Sequence, residues 1–450
     1  RWLTVPSPKE HLLKAIELQP DFANAHHQLA LILLKEGDKE GATHHLGKVL
    51  QDNPAHTESR LRLGILQAEL GQLTEAQQNF EALLEEDPRD GHAHYRLGLL
   101  SLDRGNSHDA TYHLEKAAFI DPDNSDIHYR LGLLHDGPED FAKARSCLET
   151  AVDFDNSHVA ARFELGRLLR LGRRFDSVGN LVGGGFDSEA QECFEQAIRL
   201  DPNHALAHEE LAYLLVKSGD NKTAGQSFKK AIQHDSSLIS SYLGLAHLQD
   251  ANSSLTTCSD ALAKDSGNPE VHLHMAQRCI ELEKIPDARD HFQHAADNAA
   301  TRILALREES ATFAVQDLFI KARRLEDVAN NLSHQRAEAL YQLGLLAISD
   351  KEETKALQYL ENALTANTQH SGAHFQVALL QHADGEQQTA IESLRKSIEI
   401  EIMNPEGHFL LAELLRAKGD EEMARNHYLI TLDLEPKHPK AKICLESLAG

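Results

Sequence analysis

TESRLRLGILQAELGQLTEAQQNFEALLEEDPRD (residues 57–90) runs directly into GHAHYRLGLLSLDRGNSHDATYHLEKAAFIDPDN (residues 91–124). The two stretches are equally long and share one template. Numbered from 1, Leu63 and Leu97 stand at position 7, and Gly64 and Gly98 at position 8. Gly71 and Gly105 stand at 15, Ala76 and Ala110 at 20, Phe80 and Leu114 at 24, and Pro88 and Pro122 at 32. A fixed period of 34 residues marks a stacked array rather than a globule. Such an array is held by nearest-neighbour contacts and offers a long surface to a partner.

The template resembles the tetratricopeptide repeat. That resemblance implies two antiparallel helices per unit, with small residues at positions 8 and 20 where they cross. The residue at 24 fills the space between layers. The proline at 32 ends the second helix, because it lacks an N–H and restricts the residue before it. Units in this register begin at Ala23, Thr57, Gly91, Ser125, Val159, Ala205, Ile239, Pro269, Ala337, Ser371 and Pro405. The apolar-then-small pair recurs as Leu29-Ala30, Leu131-Gly132, Leu165-Gly166, Leu211-Ala212, Leu343-Gly344 and Leu411-Ala412. The family's Trp at position 4 is missing. Histidine takes its place at His26, His94, His128, His208, His272, His374 and His408. The expected fold is an all-α, right-handed α-solenoid, a superhelix of antiparallel helix pairs.

Departures from the template divide the chain. Residues 1–22 supply only the second helix of a repeat, and a start at Arg1 reads as a fragment or a processed product. Residues 23–302 form an N-terminal array, with an inserted loop at 174–185. Residues 303–336 keep the length of a unit but place Glu309 and Ser310 at positions 7 and 8. Ala311, Val315, Leu318, Ala322, Leu325, Ala329 and Leu332 recur there at helical spacing. That predicts one long helix or a degenerate pair, dividing the array into two blocks. Residues 337–438 form a C-terminal array, and 439–450 a capping helix.

The formal charge of −25 argues against nucleic acid and anionic membrane surfaces. No apolar run approaches the ~18–20 residues that span a bilayer. Protonating all 28 histidines would bring the charge to +3, so solubility should pass through a minimum near the sequence pI of 5.5. Cys147, Cys193, Cys258, Cys279 and Cys444 are scattered and form no C-x-x-C, which points to packing and to a reducing, cytoplasmic setting. Asn221-Lys-Thr, Asn252-Ser-Ser and Asn331-Leu-Ser fit the glycosylation pattern and keep secretion open as the alternative.

No catalytic motif emerges, so a non-enzymatic reading is expected, with no cofactor. His208-Glu209-Glu210-Leu211-Ala212 lacks the second histidine of a zinc protease helix. Gly183-Gly184-Gly185 has no following Lys-Ser/Thr. His26-His27 with His44-His45 could gather four imidazoles, and His291 and His294 lie one turn apart, but packing is the simpler role.

The resemblance implies a concave groove lined by first helices, with positions 5, 6 and 9 pointing into it. Position 5 reads His27, Leu61, Tyr95, Tyr129 and Phe163, then Tyr341, Phe375 and Phe409. Position 9 reads Leu31, Ile65, Leu99 and Leu133, then Leu345 and Leu379, and Tyr213 is a further candidate for partner contact. Position 6 adds a basic row, Arg62, Arg96 and Arg130. An apolar ladder beside guanidinium groups suits an extended or helical peptide with acidic or phosphorylated residues. The competing readings are packing on the next unit and pairing with Glu58 and Asp126. The chaperone-binding members' Lys and Asn at positions 5 and 9 are here His27 and Leu31, which argues against a co-chaperone. The expected function is a protein-interaction scaffold. The alternatives are the recruiting arm of a larger enzyme and a self-associating filament component.

Overall fold

The computed structural model describes residues 7–135, 140–172, 186–315 and 319–448. All regular elements among them are α-helices. The chain divides into two compact units, residues 1–214 and 215–450.

In the first unit, α1 (Pro8–Leu18) precedes α2 (Ala23–Glu36) and α3 (Lys39–Asp52). The pairs α4 (Thr57–Glu69) with α5 (Leu73–Glu86) and α6 (Gly91–Asp103) with α7 (Ser107–Ile120) follow. Next come α8 (Ser125–Leu134) with α9 (Phe141–Phe154), α10 (Val159–Leu171) with α11 (Asp187–Leu200), and most of α12 (Ala205–Ser218), whose last residues belong to the second unit. The expected insertion at 174–185 lies outside the described residues.

The second unit holds α13 (Asn221–His234), α14 (Ile239–His247), α15 (Ala251–Leu262) and α16 (Pro269–Glu281). Two 31-residue helices follow, α17 (Ile285–Val315) and α18 (Phe319–Ser349). The unit closes with α19 (Glu353–Ala366), α20 (Ser371–Ala383), α21 (Gln387–Ile400), α22 (Pro405–Ala417), α23 (Glu421–Leu434) and α24 (Ala441–Ser447). Within each unit, helices pack mainly on their sequence neighbours, as in a solenoid of antiparallel pairs.

The template residues explain the local geometry. Second helices end just before position 31, where Asn53, Asp87 and Asp121 leave helical geometry at φ −134°, −135° and −123°. The proline that follows each of Asn53, Asp87 and Asp121 disfavours the α region for the residue before it. Position 15 is left-handed between the helices of a pair: Gly105 has φ 74° and Gly419 φ 90°. Glu283 and Lys351 occupy the same position at φ 58° and 62°. Position 8 is the crossing. A Cβ on Gly98 would lie 2.7 Å from Leu114 Cγ, and one on Gly64 2.7 Å from Phe80. The small residue therefore sets how closely the helices approach.

Residues 303–336 divide between α17 and α18, so each helix extends well past the length of its neighbours. At ~1.5 Å per residue each spans about 46 Å, roughly twice a 14-residue helix. Ala299, Ile303 and Ala329 are buried along the extension, with Leu306 and Leu332 against them. Ala322 is also buried, whereas Ala311 is exposed. The hairpin does not separate two blocks. One apolar cluster runs from Leu273 through Phe292, Leu340 and Leu360 to Val377, joining α16 to α20.

No α1 residue is fully buried, but Leu12 and Ile16 pack on the Leu29, Ala30 and Leu46 cluster. At the other end Ala441, Leu445 and Leu448 cover the cluster containing Tyr428. Glu446 stands where the template needs a small residue, so α24 covers α23 without forming a further crossing.

Candidate functional site

Position-5 residues lie between successive repeats, and five meet a histidine there. Tyr129 packs on His158 at 4.9 Å between ring centroids, and Phe163 on His204 at 4.8 Å. Tyr341 meets His370 at 4.7 Å, Phe409 meets His438 at 4.6 Å, and His27 meets His56 at 5.0 Å. Each of these partner histidines precedes a first helix by one to three residues and accepts a hydrogen bond from its first turn. The backbone N–H groups of Ser59, Ala161, Ala207, Ala373 and Ala441 donate to the Nδ1 atoms of His56, His158, His204, His370 and His438, all at 3.1 Å. These contacts satisfy donors that a helix start leaves open.

The apolar ladder is therefore partly consumed by packing. Phe163 is only 8% exposed and also contacts Phe194, so it presents no usable face. This corrects its expected role, because the next repeat covers the ring. Leu61, Tyr129, Tyr341, Phe375 and Phe409 are half-buried against core clusters. Tyr213 is 37% exposed. Position 9 remains more accessible: Ile65 and Leu99 are half-exposed, and Leu133 is exposed.

The arginine row has two anchored members. Arg62 donates to Glu58 from Nη2 at 2.9 Å and from Nε at 3.1 Å, which holds the Glu58 carboxyl below its usual range. Arg130 Nε donates to Asp126 at 2.9 Å and to the Tyr95 hydroxyl at 3.3 Å. Tyr95 in turn donates to Asp126 from the preceding repeat. Burial pushes the Asp126 carboxyl up, but the hydrogen bonds from Tyr95 and Arg130 outweigh it and leave it lowered. Arg96 lies over the Tyr95 ring, 5.6 Å from its centroid. Among the described residues no carboxylate pairs with Arg96. Pairs within one exposed helix contribute only about 0.3–0.5 kcal/mol, so a multivalent anion can compete for them.

Histidines elsewhere build local structure. The four imidazoles considered at the first pair do not converge. His26 faces His45 at 2.8 Å between Nδ1 atoms, and His44 sits beside His45. His27 instead contacts Ser59 Oγ at 2.8 Å. Ser254 and His274 make a second serine–histidine contact at 2.8 Å. Both serines are 0% exposed, so neither oxygen can reach a substrate. Glu406, Glu435 and His438 place ligand atoms within 4.8 Å of one another. His438 Nδ1 already accepts from Ala441, which puts the proton of the neutral ring on Nε2, facing the carboxylates. A metal on Nε2 would have to move that proton against the Ala441 N–H, so the arrangement suits a hydrogen bond better than coordination.

Stacked helix pairs with a small-residue crossing and a first-helix face of mixed apolar and basic character define a repeat scaffold. Four family models described as tetratricopeptide repeat match residues 11–43, 33–100, 129–177 with 182–239, and 337–370. The chain belongs to the tetratricopeptide-repeat family. Repeats of this family generally mediate protein–protein interaction and are typically non-catalytic. No described helix is long and apolar enough to cross a membrane. A comparison with curated proteins finds no match.

Among solved structures, the chain is similar to MamA at 22% identity and TM-score 0.33, over 39% of this chain and 95% of that one. It is similar to pilF of Pseudomonas aeruginosa at 18% identity and TM-score 0.42, over 55% and 98%. For yeast Tom70 the values are 17% and 0.32, over 96% of each chain. Likeness at this level concerns the fold and says nothing of partner.

Proposed function

We propose that this chain is a non-enzymatic scaffold that holds an acidic or phosphorylated peptide segment along first-helix faces of its first unit. The observation that carries this reading is Arg96. Its guanidinium lies between repeats whose arginines are engaged, yet it has no carboxylate of its own among the described residues. Ile65, Leu99 and Leu133 recur on the same first helices with apolar surface to spare. Forked hydrogen bonds from guanidinium to carboxylate or phosphate would orient the peptide, and the apolar row would take its alternate side chains.

The test compares wild type with the triple variant Arg62→Glu, Arg96→Glu, Arg130→Glu, in pull-downs read by mass spectrometry. Circular dichroism checks that both are equally helical. A partner held by wild type and lost by the variant supports the reading. A partner held equally by both sinks it and moves binding away from the arginine row.

A further inference from the structure

Four repeats carry a second histidine 19 residues after the one at position 4. His26 faces His45, His94 faces His113, His272 faces His291 and His408 faces His427. Each pair joins the first helix of a repeat to the helix that follows it. The Nδ1 atoms are 2.8, 3.0, 3.1 and 3.0 Å apart in that order.

The protonation of each pair follows from its other contacts. The Nε2 atoms of His26, His94, His272 and His408 lie 2.9, 3.2, 3.1 and 2.9 Å from the carbonyl oxygens of Pro20, Pro88, Ser266 and Ile402. A carbonyl only accepts, so each of these rings carries its proton on Nε2 and presents a lone pair at Nδ1. The facing histidine must then donate from its own Nδ1. A first additional proton can enter on Nε2 of the second-helix histidine, leaving the contact intact. A second would set two N–H groups head to head across about 3 Å, where normal hydrogen-bond geometry needs an acceptor. The rings would have to part, and the helix crossing with them.

We propose that these four histidine pairs form an acid-sensitive latch, in which each repeat crossing tolerates one added proton and loosens at the second. The charged surroundings differ between pairs. Asp38 and His44 face His45, and Glu81 and Asp109 face His113. Asp265 faces His272, Asp287 and Asp290 face His291, and His294 faces both rings. Arg395 faces His427. Burial and the opposing ring lower the pKa of His45, His113, His291 and His427, so even the first added proton enters below the usual histidine range. His128, His208 and His374 make the same carbonyl contact, but Cys147, Ser227 and Ser393 stand at the facing position. Those repeats lack the latch and serve as the comparison within one molecule.

The test uses the full chain and a variant carrying His45→Asn, His113→Asn, His291→Asn and His427→Asn. An asparagine amide can donate to a neutral first-helix histidine or, flipped, accept from a protonated one, so it removes the conflict. Urea unfolding is compared at about pH 7.5 and about pH 5.5. A histidine held neutral only in the fold changes the unfolding constant up to about 11-fold at one unit below its usual pKa of about 6.5. Wild type should therefore lose more stability on acidification than the variant, by a factor approaching this for each latch. Equal losses overturn the proposal. Should the variant fail to fold, imidazole nitrogen NMR of wild type decides. No pair should carry an added proton on both rings while its helices stay packed, and finding both rings of each pair doubly protonated at about pH 5.5 with the helices intact would refute the latch.

Discussion

Replacing Gly98 with valine tests the helix crossing most directly. A Cβ there would lie 2.7 Å from Leu114 Cγ, 2.9 Å from its Cδ2 and 3.5 Å from the Ala110 carbonyl oxygen. Leu114 is 0% exposed and enclosed with Ala117, Ile127 and Leu131, so it has little room to move. Overpacking of this kind costs about 1–3 kcal/mol, and two further methyls place valine near the upper end. Losing the conformational cost of glycine returns less than about 1 kcal/mol. Leu114→Ala alone should cost about 2–5 kcal/mol through lost burial and a cavity. In the double variant the valine fills part of that cavity. The combined loss in urea unfolding should then fall short of the sum by at least about 1 kcal/mol. Gly47 gives the control. A Cβ there meets nothing within 4 Å, so Gly47→Ala should stabilise α3 by about 1 kcal/mol. Additive losses at Gly98 and Leu114 would refute the crossing argument.

Other outcomes follow from single residues. Lys351 holds φ 62° where six other repeats place glycine, so Lys351→Gly should raise stability by about 1 kcal/mol in thermal or urea unfolding. A loss there would mean the side chain contributes contacts that outweigh the backbone strain. His274 is buried, and burial, with His247 and Arg278 nearby, lowers its pKa to about 4. The unfolded chain would protonate near pH 6.5, so this contribution is complete above that value and is lost as pH falls toward about 4. The loss reaches about 2 kcal/mol by pH 5. The stability difference between wild type and His274→Gln should shrink by that amount between pH 7 and pH 5. An unchanged difference would place the titration elsewhere.

Much of this protein was legible in its residues, because each repeat depends on local chemistry at fixed positions. Proline at 32 stops the second helix through its own ring, and glycine at 15 reverses the chain through its own φ. Gly64, Gly98 and Gly132 mark crossings because only a small residue allows the approach. A period of 34 then implies stacking. The pairing of Arg62 with Glu58 and of Arg130 with Asp126 was also visible as a helical spacing of four. What the residues alone could not decide depends on neighbours far along the chain. Phe163 reads as groove-lining until Phe194 and His204 close over it. Residues 303–336 read as a separator until α17 and α18 are seen to join one apolar cluster from α16 to α20. Histidines at positions 4 and 23 are common polar residues in sequence. Packing of facing helices brings their Nδ1 atoms within hydrogen-bond reach, and the carbonyl behind each first-helix ring assigns the proton. Local rules set where the helices begin, end and cross, whereas only tertiary packing determines which side chains remain available to a partner and which can accept a proton.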